Sequence, residues 1–369
     1  MAHKRMSKNK MIFQNRKIDK KRIRKILLIQ LGDIGDLVLT LPAIHALKRT
    51  FPGALLSIAV REKAAALLYD CPEVNCVISV DKHKGGSRGI RYQLKLISDL
   101  VRYGFDLAVE LRTGTRGAAL SLLSGAVYRI GRFDNEAWLR NIIFTHLVDP
   151  DNEESQHSID HNLNILSPLN PVIQANPTPC IYIPKRIKRE ILNKLKRKKV
   201  GHEKFIVLHP FSIWQYKELS TRHYIKLIHH FSDIWKCRLV ITGSKAEHNR
   251  AQHLIKISKR PVVNMAGRTS IIEMAGLLQQ ANLVVSIDTS AIHIAGAVNT
   301  PTISIFGPSS PVNWAPRGKK HLVITSDMKC IPCKKKGCFN TEKSQCLLTL
   351  DPKISIAAID GHIKKFNLI

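Results

Sequence analysis

Short apolar runs alternate with segments of helical spacing, and this alternation occurs twice along the chain. In the first half, the apolar runs lie at 25–31, 55–60, 76–80, 106–110 and 127–130. After a polar, proline-rich stretch at 150–184, they restart at 205–209, 238–242, 262–264, 283–287 and 302–306. Continuous apolar strands alternating with helices are typical of parallel sheets covered on both faces. The chain is therefore predicted to form two Rossmann-like, doubly wound α/β domains.

The same pattern predicts how the chain is divided. Its 369 residues suit two domains, and 44% hydrophobic residues are enough to pack two cores. The expected segments are a basic flexible tail at 1–24, an N-terminal domain at 25–180, a linker with a basic helix at 181–200, a C-terminal domain at 201–350 and a C-terminal helix at 351–369. Within the C-terminal domain we expect a Cys-rich loop at 328–348.

The formal net charge of +30 indicates an anionic partner. Residues 1–25 alone hold eleven Lys and Arg against one acid, Asp19. No apolar stretch approaches the roughly 20 residues that a membrane-spanning helix needs. Two interpretations of the tail stay open. It could lie against anionic lipid headgroups, at about 1 kcal/mol per well-placed cation, or it could only increase solubility.

Nucleic acid is the other common partner of a strongly basic protein. The sequence has neither a basic strand studded with aromatic residues nor the cysteine and histidine spacing of a zinc finger. We therefore expect no nucleic-acid partner.

A first candidate motif, Gly32-Asp33-Ile34-Gly35-Asp36, follows the first predicted strand and begins a helix that we expect to run over residues 36–49. Glycines here allow a ligand to approach the backbone closely. The spacing is neither that of a dinucleotide fingerprint nor that of a P-loop. From spacing alone, Asp36 is equally well interpreted as a helix-capping residue or as a catalytic carboxylate.

A second motif, residues 208–217, follows the first strand of the second half. It carries Ser212 and Lys217, and a hydroxyl and a lysine at the carboxyl end of a parallel strand suit phosphate binding. An ordinary surface lysine is the alternative.

The third motif is the most informative. A buried strand ends in Asp288-Thr289-Ser290, and a helix rich in small residues begins there. Unpaired N–H groups in a first helical turn, together with two hydroxyls, form an anion site. His293 lies one turn further on, where a hydrogen-bonded core histidine is the alternative. The loop 306–311 follows the next strand.

Together these stretches resemble glycosyltransferase family 9, the lipopolysaccharide heptosyltransferases. The resemblance runs from residues 26–42 through 243–247 and 267–279 to 288–311. It implies a GT-B fold with two domains facing across a cleft, an inverting mechanism, ADP-L-glycero-D-manno-heptose as donor and no required cofactor or metal. It also implies that Asp36 is the catalytic base. The donor-binding residues that it implies are Ser212, Lys217, Glu247, Thr269, Asp288, Thr289, Ser290 and His293.

The acceptor implied by this family is the acidic lipid A–Kdo inner core. Gly35, Arg112 and Arg116, with a basic loop at 82–91, are candidate acceptor-binding residues, although the arginines are equally well explained as solvated surface charge. A lipid-anchored acceptor further implies a cytoplasmic enzyme that associates peripherally with the inner face of the cytoplasmic membrane.

Two departures from the family pattern fall in the donor loop. Phe211 stands where the family usually has Gly, and Leu219-Ser220 replaces a common Trp-Pro. Two alternatives therefore stay open: a transferase of the same fold using another nucleotide-sugar for a surface glycan, and a non-catalytic nucleotide-sugar-binding protein.

Four of the eight cysteines lie close together near the C-terminus, at Cys330, Cys333, Cys338 and Cys346. Four thiolates satisfy a tetrahedral zinc ion, but the spacing is not that of a zinc ribbon. Free thiols or a disulfide are equally good interpretations, and no metal ligand is assigned.

Overall fold

The computed structural model describes residues 10–81, 86–149, 154–201, 204–339 and 341–369. The chain divides into two compact units between Tyr182 and Ile183. In the described residues of unit 1, seven strands form one sheet in the order β1-β7-β6-β5-β2-β3-β4. The strands are β1 Lys10–Gln14, β2 Lys25–Gln30, β3 Leu55–Arg61, β4 Cys76–Val80, β5 Leu107–Glu110, β6 Tyr128–Arg132 and β7 His146–Asp149.

Strand β1 pairs antiparallel with β7, and the remaining pairs are parallel. The helices of unit 1 connect the parallel strands, with 3-10 turns at Lys20–Arg22 and Ser167–Leu169. They are α1 Ile34–Val38, α2 Leu41–Thr50, α3 Glu62–Ala65, α4 Gly86–Tyr103, α5 Thr115–Leu123, α6 Trp138–Asn141 and α7 Ser158–Ile165.

Unit 2 repeats the arrangement with a sheet of order β10-β9-β8-β11-β12-β13, all of whose pairs are parallel. A 3-10 turn lies at Gln215–Lys217. The strands are β8 Phe205–His209, β9 Arg238–Ile241, β10 Val262–Asn264, β11 Leu283–Ile287, β12 Thr302–Phe306 and β13 His321–Thr325. The helices are α8 Lys185–Arg197, α9 Thr221–Asp233, α10 His248–Ser258, α11 Ile271–Gln280, α12 Ser290–Ala297, α13 Pro311–Trp314, α14 Gln345–Leu348 and α15 Pro352–Phe366.

The central strands are buried because helices cover both of their faces. Ile26 to Ile29 of β2 are at most 1% exposed, and every residue of β8, β11 and β12 is buried. Apolar strand-length runs therefore form the parallel interior of each sheet, as the sequence predicts.

The prediction of a flexible tail at 1–24 is wrong for part of its length. Residues 10–14 form β1 on the edge strand β7, and Tyr128 accepts a hydrogen bond from the backbone N–H of Asp19 at 3.1 Å. The apolar run of Met11, Ile12 and Phe13 is only three residues long and gives no strong strand signal, so pairing with a distant strand decides the outcome. Residues 1–9 lie outside the described residues.

The expected basic loop at 82–91 is also partly wrong. Residues 82–85 lie outside the described residues, but α4 begins at Gly86. Its helical spacing favours the helix over the loop that Gly86 and Gly89 indicate.

Two further boundaries differ from the prediction. The expected continuous helix at 36–49 is interrupted after Val38, and Pro42 occupies the first turn of α2, where a missing N–H costs nothing. The basic helix assigned to a linker is α8 of unit 2, and its Ile187 and Ile191 pack against Gly276 of α11. No helix among the described residues is both long and apolar enough to cross a membrane.

Candidate functional site

Both units have the strand order 3-2-1-4-5-6 when their parallel strands are numbered along the chain. In such sheets the chain leaves the first and fourth strands in opposite directions, and the crevice between their carboxyl ends is the usual ligand site. In unit 1 this crevice lies between β2 and β5. In unit 2 it lies between β8 and β11.

Asp36 lies at the crevice of unit 1, on the first turn after β2. Its Oδ1 contacts Nη1 of Arg112 at 3.1 Å, and its Oδ2 accepts a hydrogen bond from the backbone N–H of Asp33 at 2.7 Å. The Asp36 side chain is 20% exposed. Asp36 therefore caps α1 through Oδ2 and pairs with Arg112 through Oδ1. The two interpretations of this residue are compatible.

Gly32 is required by this arrangement. A Cβ on residue 32 would lie 2.4 Å from Oδ2 of Asp36 and 2.5 Å from its Cβ. The backbone N–H of Gly32 donates to Gln30 Oε1 at 3.1 Å, and the Gln30 amide donates to Thr40 at 2.9 Å. The glycine lets the chain fold back closely enough for Asp36 to cap its own helix.

Two cations that the sequence interpretation missed lie on the neighbouring strand end. Arg61 Nη1 and Lys63 Nζ contact Oδ1 of Asp33 at 2.8 and 2.6 Å. Burial alone would raise the pKa of Asp33, but Lys63 and Arg61 outweigh it and hold the pKa below its usual value. Arg61 and Lys63 come at the end of a predicted strand, which is a signal in the sequence. It points to Asp33 only once β3 is known to lie next to β2.

A buried ion pair holds the backbone of Arg112 in place. Arg140 Nη2 contacts Glu110 Oε2 at 2.6 Å and donates to the carbonyl oxygen of Arg112 at 2.7 Å. Burial raises the pKa of Glu110 to about 7, although Arg140 favours the carboxylate. The pair fixes the backbone that carries Arg112 into the crevice.

The other acceptor candidates are placed differently. Gly35 lies in α1, immediately before Asp36. Arg116, on α5, donates from Nη2 to the carbonyl oxygen of Asp81 at 2.8 Å, at the end of β4. The structure therefore brings Arg112, but not Arg116, into contact with Asp36.

In unit 2, Lys217 and Asp288 meet at the crevice between β8 and β11. Lys217 Nζ lies 2.6 Å from Asp288 Oδ2, and their side chains are 20% and 7% exposed. An uncompensated carboxylate at this depth would repel an anion. The lysine offsets it, so phosphate binding here needs a further source of positive charge beside Lys217.

That source is the N-terminus of α12. Thr289 is its N-cap, with Oγ1 accepting from the Ala291 N–H at 3.3 Å. Ser286 joins Thr289 Oγ1 at 3.2 Å and donates to the carbonyl oxygen of His209 at 2.9 Å. Ser290 occupies the first helical position, and a helix N-terminus carries partial positive charge that attracts anions. His293 is buried in the next turn, with its ring 6.3 Å from that of Trp314.

The loop after β8 is held by contacts within unit 2. Ser212 Oγ accepts from the Trp214 N–H at 3.1 Å, and the Ser212 N–H donates to Glu218 at 3.0 Å. Glu218 also pairs with Arg250. The sequence interpretation missed Glu218, because nothing local shows that it binds back to its own loop.

Phe211 and Leu219, where this loop departs from the family pattern, pack into the protein interior. Both side chains are buried in the core of unit 2, and Arg250 lies over the Phe211 ring at 4.7 Å. Ser220 caps α9 by accepting from the His223 N–H at 3.2 Å.

Glu247 and Thr269 lie on the loops after β9 and β10. Glu247 Oε2 accepts from the Ser244 N–H at 2.6 Å, so the carboxylate is bound within its own loop. Thr269 is half-buried just before the N-cap of α11. The parallel strands bring both loops to the same edge as Lys217 and Asp288.

Of the four clustered cysteines, Cys346 packs beside the loop after β12. A Cβ on Gly307 would lie 2.6 Å from Leu347 Cγ and 3.2 Å from Cys346 Sγ. Burial raises the pKa of Cys346 to about 11, and the neighbouring thiols of Cys338, Cys333 and Cys330 add to this. All four are free cysteines. Within the described ranges no group of three or more His, Cys, Asp or Glu side chains is arranged to hold a metal ion.

The two-sheet architecture is shared with solved glycosyltransferases. A family 9 glycosyltransferase from Veillonella parvula superimposes with a TM-score of 0.79 at 17% identity, covering 93% of this chain and 97% of the other. The Escherichia coli ADP-heptose lipopolysaccharide heptosyltransferase II gives 0.74 at 19% identity, covering 93% and 99%. The fold is therefore that of an α/β glycosyltransferase of the GT-B type, as predicted.

The sequence comparisons identify the family within this class. Residues 93–344 match the profile of glycosyltransferase family 9 (heptosyltransferase). Lipopolysaccharide heptosyltransferase 3 of Escherichia coli is 26% identical over 344 residues, which cover 88% of this chain and 95% of that protein. The chain belongs to glycosyltransferase family 9, and it is an enzyme of the lipopolysaccharide heptosyltransferase type. The resemblance seen in its motifs is confirmed.

Proposed function

We propose that this enzyme transfers heptose from ADP-L-glycero-D-manno-heptose to the lipid A–Kdo inner core during lipopolysaccharide biosynthesis. The observation that carries the proposal is the Lys217–Asp288 pair beside the N-terminus of α12, at the crevice of a family 9 unit. A lysine and a helix N-terminus together suit the diphosphate of a nucleotide-sugar. Family membership and the relatives' heptosyltransferase names support the choice of sugar.

The donor half of the reaction depends on charge that develops as ADP leaves. Lys217 and the first turn of α12, with the hydroxyls of Thr289 and Ser290, stabilise this charge. Ser212, Glu247, Thr269 and His293 complete the proposed ADP site. Phe211, where the family usually has Gly, is buried in the core of unit 2.

The acceptor half depends on Asp36. The acceptor hydroxyl oxygen attacks the anomeric carbon, the bond from that carbon to the diphosphate oxygen breaks, and the hydroxyl proton passes to Asp36 Oδ1. Oδ1 takes this role because Oδ2 is bound to the Asp33 N–H. Arg112, Arg61 and Lys63 are cations suited to the phosphates and carboxylates of an acidic acceptor. Gly35 and Arg116 are further acceptor-binding candidates.

The setting follows from the substrates. A nucleotide-sugar donor and a lipid-anchored acceptor meet at the cytoplasmic face of the inner membrane, where the enzyme associates peripherally. Neither a cofactor nor nucleic acid is part of the proposal.

A mass-resolved transfer assay tests the proposal. Purified enzyme receives detergent-dispersed Kdo–lipid A acceptors with ADP-heptose or with other ADP- and UDP-sugars. We expect one added heptose mass from ADP-heptose alone. Transfer only from another nucleotide-sugar would refute the donor, and no transfer with intact ADP binding would favour a non-catalytic binding protein.

Asp36→Asn tests the base in the same assay. Transfer should fall by about 10²- to 10⁴-fold, the usual range for a lost general base. The thermal shift caused by ADP should stay, because Asp36 belongs to unit 1 and the proposed ADP site to unit 2. Full turnover in this variant would remove Asp36 from the mechanism.

A further inference from the structure

Helix α4 presents two apolar faces, of which only one is buried. Its inner face contributes Leu96 and Leu100 to the core of unit 1. Tyr92 fixes the rotation of the helix, because its hydroxyl donates to the Ser79 carbonyl at 2.7 Å and accepts from the Asp81 N–H at 2.9 Å. The side chains on the opposite side therefore point away from unit 1.

Four apolar residues form a stripe on this outer side: Ile90, Leu94, Ile97 and Val101. Their spacing of four, three and four residues places them within about 60° of one side of the helix. Ile90 is 64%, Leu94 61% and Val101 59% exposed, and Ile97 is half-buried. Isolated exposed apolar residues need no explanation, but a continuous exposed stripe indicates a binding surface.

A basic ridge runs beside the stripe. Arg91, Lys95 and Arg102 are exposed and share the adjacent side of the helix, about 100° from the stripe. Asp99 is the only acid between residues 89 and 103, and it lies beyond the ridge. An apolar stripe flanked by cations is the surface of a helix that lies in a membrane interface.

Charge decides between the possible occupants. A two-fold contact between two copies through this stripe would bring two basic ridges together, and like charges at an interface oppose association. An anionic lipid surface accepts the apolar stripe and attracts the ridge at the same time.

We propose that the outer face of α4, formed by Ile90, Leu94, Ile97 and Val101 with Arg91, Lys95 and Arg102, binds the surface of an anionic lipid bilayer. The helix lies flat, with the stripe among the acyl chains and the ridge at the headgroups. This inference deepens the proposed function, on which it rests for the presence of a membrane-bound acceptor.

Vesicle flotation tests the proposal, with phosphatidylcholine vesicles and with vesicles that also contain phosphatidylglycerol. The purified full chain is compared with Leu94→Ser/Val101→Ser and with Arg91→Gln/Lys95→Gln/Arg102→Gln. We expect each variant to lower the partition coefficient on anionic vesicles by about tenfold or more. Raising the salt concentration should weaken the binding of the wild type and of the serine variant to anionic vesicles. It should affect the binding of the glutamine variant much less.

Ile234→Ser/Ile354→Ser is the matched control. Both side chains are as exposed as Leu94 and Val101, but they belong to unit 2. It should float like the wild type. Unchanged flotation of the α4 variants would overturn the proposal, and so would an equal loss in the control. Thermal unfolding midpoints within the error of the wild type show that the variants are folded.

Two other outcomes would point to a different membrane-binding element or to a different partner for the stripe. If deletion of residues 1–9 abolishes flotation while the α4 variants retain it, the N-terminal arm is the membrane-binding element and the proposal fails. If the wild type sediments as a dimer that Leu94→Ser/Val101→Ser dissociates, with flotation unchanged, the stripe binds a second copy. Flotation needs neither donor nor acceptor, so a failed transfer assay leaves this test intact.

Discussion

Arg140 shows what a single buried charge contributes. Its guanidinium and the Glu110 carboxylate are both 2% exposed, and Arg140 also holds the backbone of Arg112. Removing one partner of such a pair is costly because the other charge stays buried without compensation. The structural role of Arg140 is thus to stabilise unit 1 and to place a crevice cation.

Arg140→Met should lower the free energy of unfolding by about 3 kcal/mol or more at pH 8. The loss should be smaller at pH 5, where the uncompensated Glu110 takes up a proton. Urea unfolding at the two pH values measures this. Arg260→Met is the matched control, since its pair with Asp233 is 34% and 42% exposed and should contribute far less to stability than the buried pair does. Equal losses in both variants would contradict the role of burial.

The positions of Asp36, Lys217 and Asp288 follow from their neighbours in the chain. Each comes after an apolar run, so the sequence predicts their place in the segments that follow β2, β8 and β11, which the structure shows. Arg61, Lys63 and Arg140 were missed because their partners are 28 to 30 residues away and depend on strand order.

At the scale of elements, the turn from β2 into α1 depends on Gly32. Gly32→Ala would force Asp36 to move, because both Oδ2 and Cβ of Asp36 lie within 2.5 Å of the new methyl group. We expect transfer to fall by about 10²-fold or more, as misplacement of a reacting group by an ångström does. ADP should still raise the unfolding temperature. Transfer rates and thermal shift measure the two effects.

Gly53→Ala is the control for this prediction, since nothing lies within 4 Å of its added methyl group. It should retain transfer. A Gly32→Ala enzyme as active as this control would show that the turn tolerates a displaced Asp36.

Most strands were predictable because they are apolar runs, whereas β1, β7 and β13 were not. Strands such as β2, β8 and β11 are largely apolar because both faces are covered. Strands β1 and β13 lie at sheet edges and are partly exposed, and β7 is only four residues long, so none of the three gives a strong signal of its own. The break after Val38 was missed because apolar spacing continues across it.

For the whole molecule, acid should cost unit 2 more stability than unit 1. Burial lowers the pKa of His209 and of His321 to about 4, so unit 2 loses stability as the pH falls from 6.5 toward 4, because the unfolded chain binds protons that the folded unit excludes. In unit 1, burial also lowers the pKa of His146, but the raised pKa of Glu110 stabilises the fold as the pH falls from about 7 to 4.5 and offsets this loss.

Each histidine should cost unit 2 about 2 kcal/mol at pH 5. Hydrogen exchange read by peptide at pH 7 and pH 5, corrected for intrinsic rates, separates the units. His209→Gln should reduce the loss in unit 2, whereas His253→Gln, at an exposed position, should not. A parallel decline of both units would contradict the assignment.

The crevice pairs Asp36–Arg112 and Lys217–Asp288 have a consequence for how ligands enter. Asp36 and Lys217 each already have a counter-ion from the opposite side of the crevice, so in the proposed reaction an arriving hydroxyl or phosphate has to replace a partner. We expect binding to be an exchange that releases Arg112 or Asp288. Part of the attraction is then offset by the partner given up, and the returning counter-ion should favour release of the product.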